Sequence, residues 1–237
     1  MSKYFTSSPY EREMMKVPCV INNESERQKL RKGLSYHESC KSCLSYSQGK
    51  DKCKRNACPY IAERIEQNAI TVLELIHPLI FEARDESYYK RLIRIYKEIH
   101  GGKITTMYKS KPHERVFKKW VQLYKKQGYI LSSRFTAALF VLSADKFLWD
   151  HSKYHIKPNA IDFDNIDIKG IEPDAYLLYK VAKDFTFKTT NVSTSELADR
   201  LITKETIFTV VLNGILIARY GIDTLKLELI PKSEEKI

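Results

Sequence analysis

The stretch that decides the fold is Lys204-Glu205-Thr206-Ile207-Phe208-Thr209-Val210-Val211-Leu212-Asn213-Gly214-Ile215-Leu216-Ile217-Ala218-Arg219-Tyr220-Gly221. Ile207, Phe208, Val210, Val211, Leu212, Ile215, Leu216 and Ile217 leave a helix here almost wholly apolar. A helix that is hydrophobic all round is buried. A shorter helix precedes it at Ser193–Leu201, so the outline is that of a helix-turn-helix, with Leu225–Ile230 as its wing. In that motif the second helix presents polar side chains to base edges. This one has few to present, so it is expected to be a core helix of a compact helical domain. Thr209, Asn213 and Gly214 interrupt the apolar run well short of the roughly 18 residues of a membrane span.

Working outward, the rest of this half also reads as helix. Pro112 opens one through Gln127, with Val116, Phe117, Trp120, Leu123 and Tyr124 apolar and Gly128 as its stop. Ser132 or Ser133 caps the next, which carries Phe135, Ala138, Leu139, Leu142 and Leu148 to about His151. Residues 156–172 read as irregular. Pro173 begins a helix with Tyr176, Leu177, Val181 and Phe185. Towards the N-terminus, Ile61, Ile65, Ala69, Val72, Leu73, Ile76 and Ile80 keep a 3.6-residue period, which predicts one helix from about Pro59 to Ala83, with Pro78 as a kink. A second helix covers 87–99 and ends at Gly101-Gly102.

The expected organisation is a polar arm (1–36), a Cys-rich module with two basic amphipathic helices (37–102), a linker (103–111), a helical domain (112–230) and a polar tail (231–237). The fold class is mainly α, with a zinc-knuckle-like module at the front and little β.

Of 237 residues, 43% are hydrophobic and 11% aromatic, too apolar for a disordered chain. The net charge is +11, and it is uneven: residues 1–60 and 61–129 each carry +6, whereas 130–237 carry −1. The densest stretch, 90–126, holds twelve cations against Glu98 and Glu114. Tyr88, Tyr89, Tyr96, Tyr108, Trp120, Tyr124 and Tyr129 interleave with them. Clustered Lys and Arg release counterions from phosphates, and aromatic faces stack on unpaired bases. Nucleic acid, RNA or DNA, is therefore the expected partner. Lys90, Arg91, Arg94, Lys97, Lys118, Lys119, Lys125 and Lys126 are its expected contacts. The alternative is a solvated lysine-rich face whose aromatics turn inward.

Four of the five cysteines fall within 19 residues, as Cys40-x2-Cys43-x9-Cys53-x4-Cys58. Two short pairs around a loop suit tetrahedral zinc, each pair supplying two corners. Structural zinc is the expected cofactor, with His37 able to replace one cysteine. Disulfides, an iron–sulfur cluster and free thiols are the alternatives. Lys50, Lys52, Lys54 and Arg55 decorate the module and would touch nucleic acid, unless it is a structural staple or a protein-binding knob. The N-terminal Met1–Phe5 lacks an apolar signal core, so a cytoplasmic protein with no membrane partner is expected.

Residues 132–221 carry Arg134-Phe135-Thr136-Ala137-Ala138-Leu139, Ser143-Ala144-Asp145-Lys146, Ile161-Asp162-Phe163-Asp164 and Ala218-Arg219-Tyr220-Gly221. In these the chain resembles an uncharacterised domain-of-unknown-function family of conjugative elements, plasmids and phages in low-GC Gram-positive bacteria. The resemblance covers somewhat under half the chain. It implies a small helical domain and a mobile-genetic-element context, and it transfers no catalytic residue.

No complete catalytic motif is present. Asp162, Asp164 and Asp167, with Glu172 and Asp174, carry the carboxylates of a two-metal nuclease, although turns and caps use them far more often. His151 and His155 are four apart but lack a zincin pattern. The expected function is that of a non-catalytic, zinc-stabilised, nucleic-acid-binding accessory protein of a mobile element. A protein-binding, anti-CRISPR-like inhibitor of a host defence nucleoprotein stands as the alternative, and a metal-dependent nuclease as the third reading.

Overall fold

A computed structural model of the chain describes residues 61–230. The cysteine module, with His37, Cys40, Cys43, Cys53, Cys58, Lys50, Lys52, Lys54 and Arg55, lies outside the described residues. The chain is mainly helical, and among the described residues the only sheet is one two-stranded ribbon. It forms two compact units, one with the described residues 61–103 and 226–230, the other with Ile104–Leu225.

In the first unit, α1 (Ile61–Glu66), α2 (Val72–Glu82) and α3 (Glu86–His100) follow in order. The single helix expected over 59–83 is two helices. Asn68 adopts a left-handed φ of 51°, and the Ala69 N–H reaches back to the Arg64 carbonyl at 2.8 Å, which closes the α1 C-terminus. Thr71 and Glu74 then form a reciprocal capping box that starts α2. Pro78 lies inside α2, which continues past it to Glu82. The Leu225–Ile230 segment, expected as a wing strand, is a 3₁₀ turn (Ile222–Lys226) and an irregular end. Its Glu228 and Leu229 carbonyls accept the free N–H groups of Val72 and Leu73 at 2.9 and 3.1 Å.

The second unit holds α4 (Lys111–Lys126), α5 (Ser133–Leu142), α6 (Lys146–Ser152), α7 (Pro173–Phe187), α8 (Thr194–Ala198) and α9 (Glu205–Tyr220). Its centre is α5, where every residue from Phe135 to Leu142 is buried and both α7 and α9 pack closely. The helix expected to run from Ser133 to His151 is broken here. Ser143 folds its hydroxyl onto the Phe140 carbonyl, and Asp145 caps α6 by accepting the Leu148 N–H at 3.0 Å. Within 156–172, β1 (Ile156–Lys157) and β2 (Ala160–Ile161) make a short antiparallel hairpin. Its turn residue Asn159 has φ 57°. The Asn159 amide donates to the Ile130 carbonyl and accepts from the Ser132 N–H, tying the hairpin to the α4–α5 loop.

The apolar helix α9 is buried as expected, with Ile207, Phe208, Val210, Val211, Leu212, Leu216 and Ile217 all inside. Asn213 is its one inward polar side chain, and its amide donates to the Met107 carbonyl at 2.6 Å. Gly214 marks the closest approach of its neighbours. A Cβ added there would stand 2.9 Å from Phe185 Cε2 and from Val141 Cγ2. Val141 is fully buried and has no room to retreat. Gly214→Ala is therefore expected to destabilise the protein by about 1–3 kcal/mol, overcoming the roughly 1 kcal/mol that alanine contributes to a helix. A urea midpoint that rises in the variant would refute this packing.

Candidate nucleic-acid interface

Among the described residues two amphipathic helices, one in each unit, each carry a row of exposed cations. In α3, Asp85 caps the start by accepting the Tyr88 N–H at 2.7 Å. Tyr88, Tyr89, Leu92, Ile93, Ile95 and Ile99 form its buried stripe. Arg91 belongs to this stripe, three residues from Tyr88 and four from Ile95, and is only 3% exposed. The expected nucleic-acid contact at Arg91 is thus corrected: its side chain is withdrawn from solvent. Lys90, Arg94 and Lys97 stand on the exposed side. Lys90 pairs with Glu86 at 2.7 Å and Arg94 with Glu98 at 2.9 Å, each across one helical turn. Such exposed pairs hold little energy and open readily to a competing anion.

In α4, Ser110 caps the first turn by accepting the His113 N–H, and Gly128, at φ 81°, follows the last. His113, Phe117, Val121 and Tyr124 face inward. Outward stand Lys111, Arg115, Lys118, Lys119, Lys125 and Lys126, six cations against the single carboxylate of Glu114. Glu114 is held by Lys118 at 2.7 Å, and that hydrogen bond keeps its carboxyl below the ordinary glutamate value. Among the described residues no carboxylate pairs with Lys111, Arg115, Lys119, Lys125 or Lys126. From Lys111 to Lys126 the row is about 22 Å long at 1.5 Å per residue. A surface this one-sided attracts polyanions and releases their counterions on contact.

Most of the interleaved aromatics are core rather than stacking platforms. Tyr88, Tyr89 and Tyr124 are buried. Tyr108 is half-buried against His113, Phe117 and Phe140, and burial pushes its phenol up to about 12. The alternation of charge and aromatic in this stretch thus reports the two sides of a helix. The exceptions are Tyr129, which is 47% exposed, and half-buried Tyr96 and Trp120. Trp120 meets Trp149 of α6 edge to face, with ring centres 5.2 Å apart. Together with Val116, Lys119, Lys153 and Tyr154 they line an open cleft of about 360 Å³. Trp149, Lys153 and Tyr154 lie outside the basic stretch, and no sequence pattern joined them to it. The α4–α6 packing alone brings them there.

The other candidates do not assemble. Asp162 accepts from the Asn165 amide at 2.7 Å, Asp167 from the Lys169 N–H at 3.0 Å, and Asp174 pairs with Lys204 at 2.6 Å. His151 stacks on Phe147 within α6, whereas His155 lies beyond the end of that helix in a 3₁₀ turn. Among the described residues no three His, Cys, Asp or Glu side chains are grouped to hold a metal ion. Nor is any helix there long and apolar enough to cross a membrane.

No protein-family model matches the chain, and neither a curated protein nor a solved structure matches it.

Proposed function

We propose that the protein is a non-catalytic, zinc-stabilised nucleic-acid-binding accessory protein of a mobile genetic element. The observation that carries this reading is the outer side of α4, with six cations, one carboxylate and five of the cations lacking any ion pair among the described residues. Phosphates supply most of the affinity, and nothing on this surface selects a base sequence. The exposed Lys90, Arg94 and Lys97 of α3 make a second set of phosphate contacts. The spacing of Cys40, Cys43, Cys53 and Cys58 supports one structural zinc per chain, with His37 as the substitute ligand. The mobile-element context rests on the resemblance of residues 132–221.

The test is fluorescence anisotropy with labelled single-stranded RNA, single-stranded DNA and duplex DNA, at low and near-physiological salt. Sub-micromolar binding that weakens steeply with salt is expected. Metal analysis of the same reduced preparation is expected to find about one zinc per chain. Absence of binding even at low salt would refute the nucleic-acid reading, and absence of metal would refute the zinc.

One observation favours a protein partner as a second reading. Leu201 is 97% and Ile202 48% exposed, side by side in the α8–α9 turn. An apolar tip of this kind suits docking on a host nucleoprotein, and pull-down that is lost in Leu201→Ser would support it.

A further inference from the structure

We propose that the cleft between α4 and the end of α6 receives an unpaired base of a single-stranded nucleic acid, while the cations of α4 hold the flanking phosphates. This rests on the reading of the protein as a nucleic-acid binder and assigns the form of nucleic acid and the place where it is held. The cleft has the three parts such a site needs. Half-buried Trp120 makes the aromatic wall, braced edge to face at 5.2 Å by Trp149, which is itself only 7% exposed at the cleft floor. Tyr154 is 81% exposed and supplies a second ring that nothing in the fold requires at the surface. Lys119 and Lys153 stand at the rim.

Charge selects the occupant. Lys119 belongs to the same cationic row as Arg115, Lys125 and Lys126, so a strand that seats a base here runs its phosphates along α4. Lys153 is ion-paired with Asp150 at 2.7 Å, and with Lys146 at 3.6 Å from the same carboxylate the three groups keep one net positive charge, so Lys119 and the α4 row supply most of the attraction. Lys153 Nζ also lies 5.1 Å from the Tyr154 ring centre and steadies that ring. At about 360 Å³ the cleft is at the small end of ligand sites, the scale of one ring system. A duplex offers no free base face, so the cleft discriminates by strandedness rather than by sequence.

The protein carries its own reporter. Trp120 and Trp149 are the only two tryptophans in the chain, and both line the cleft. Full-length protein is titrated with labelled oligo(dT), oligo(U) and a mixed-sequence duplex, reading probe anisotropy and intrinsic tryptophan emission together. Single strands are expected to bind and to change the emission, and the duplex to bind with the emission unchanged. Tyr154→Ala, at a position too exposed to matter for folding, is expected to weaken single-strand binding about tenfold and leave duplex binding as it was. Anisotropy binding with constant emission, or an unaffected Tyr154→Ala, overturns the cleft and leaves the proposed function standing. An equal emission change with duplex overturns the unpaired-base assignment. A polyglutamate peptide that binds as tightly and shifts the emission equally assigns the cleft to an acidic protein and overturns it too. No binding to any nucleic acid overturns both readings.

Discussion

Replacing Lys119, Lys125 and Lys126 together by glutamate is expected to lower affinity for single-stranded nucleic acid at least about a hundredfold at low salt. The salt slope should flatten by about two, since each lost phosphate contact on a single strand removes roughly 0.7 from it. These three are chosen because they are exposed and have no ion pair among the described residues, so their charge is free to meet phosphate. The fold should survive, because lysine and glutamate have similar helix propensity and none of the three touches the buried stripe of His113, Phe117, Val121 and Tyr124. A small loss is expected where two carboxylates enter the last turn of α4, against the helix dipole. Thermal unfolding reads that loss separately. The control is Lys157, Lys169 and Lys188 changed to glutamate, which alters net charge equally at exposed positions off α4. Binding that falls as far in the control as in the α4 variant would mean that net charge, not this helix, governs affinity. Unchanged binding in the α4 variant would remove α4 from the interface.

What the sequence made legible was amphipathic order. The buried stripes of α3 and α4 follow the 3.6-residue period, and α9 is inside because no side of it is polar. These depend on local spacing alone, which is why they survive folding unchanged. Breaks were less legible. A continuous period from Ile61 to Ile80 concealed the turn at Asn68, because α1 and α2 keep the same apolar spacing on either side of it. The signals were present, in an asparagine able to take a left-handed φ and in the Thr71-x-x-Glu74 capping box, but apolar periodicity outweighed them. Asp145 was hidden in the same way between α5 and α6. Arg91 shows a different limit: its charge assigned it to solvent, whereas its position, one turn from Tyr88 and Ile95, assigned it to the core. Position decided. The aromatic cleft was not legible at all. Trp120 and Trp149 are 29 residues apart, and only the turn at Ser143–Asp145 folds α6 back beside α4.

Acid is expected to weaken the second unit through a single imidazole. His113 is 2% exposed. Its Nδ1 accepts the Lys109 N–H at 3.1 Å, so Nε2 carries the proton and donates to the Phe140 carbonyl at 2.8 Å. The neutral ring thus joins the linker ahead of α4 to the central helix α5, packed among Tyr108 and Phe140. A proton on Nδ1 would turn that acceptor into a donor facing a donor. Burial is the main cause that lowers its pKa, with nearby Lys109 adding to it. The Phe140 bond and Glu114 oppose them, and the balance falls from 6.5 to about 4. Because the folded value is below the unfolded one, the unfolded state takes up the proton first. Stability is fully present above pH 6.5 and is lost as pH falls towards 4. The loss is about 2 kcal/mol by pH 5 and on the order of 3 kcal/mol by pH 4. Glu114, Asp150 and Glu196 have carboxyls held low by Lys118, Lys153 and the Ser193 N–H, so their contributions begin to fade only as pH falls through about 4.5 for the glutamates and 3.8 for the aspartate, beneath the pH 7 to 5 interval of the test. Urea midpoints between pH 7 and pH 5 should therefore fall in the native protein. In His113→Gln, which cannot titrate, the midpoint should start lower and stay nearly level across the same interval. A parallel decline in both proteins would mean that some other group drives the acid response.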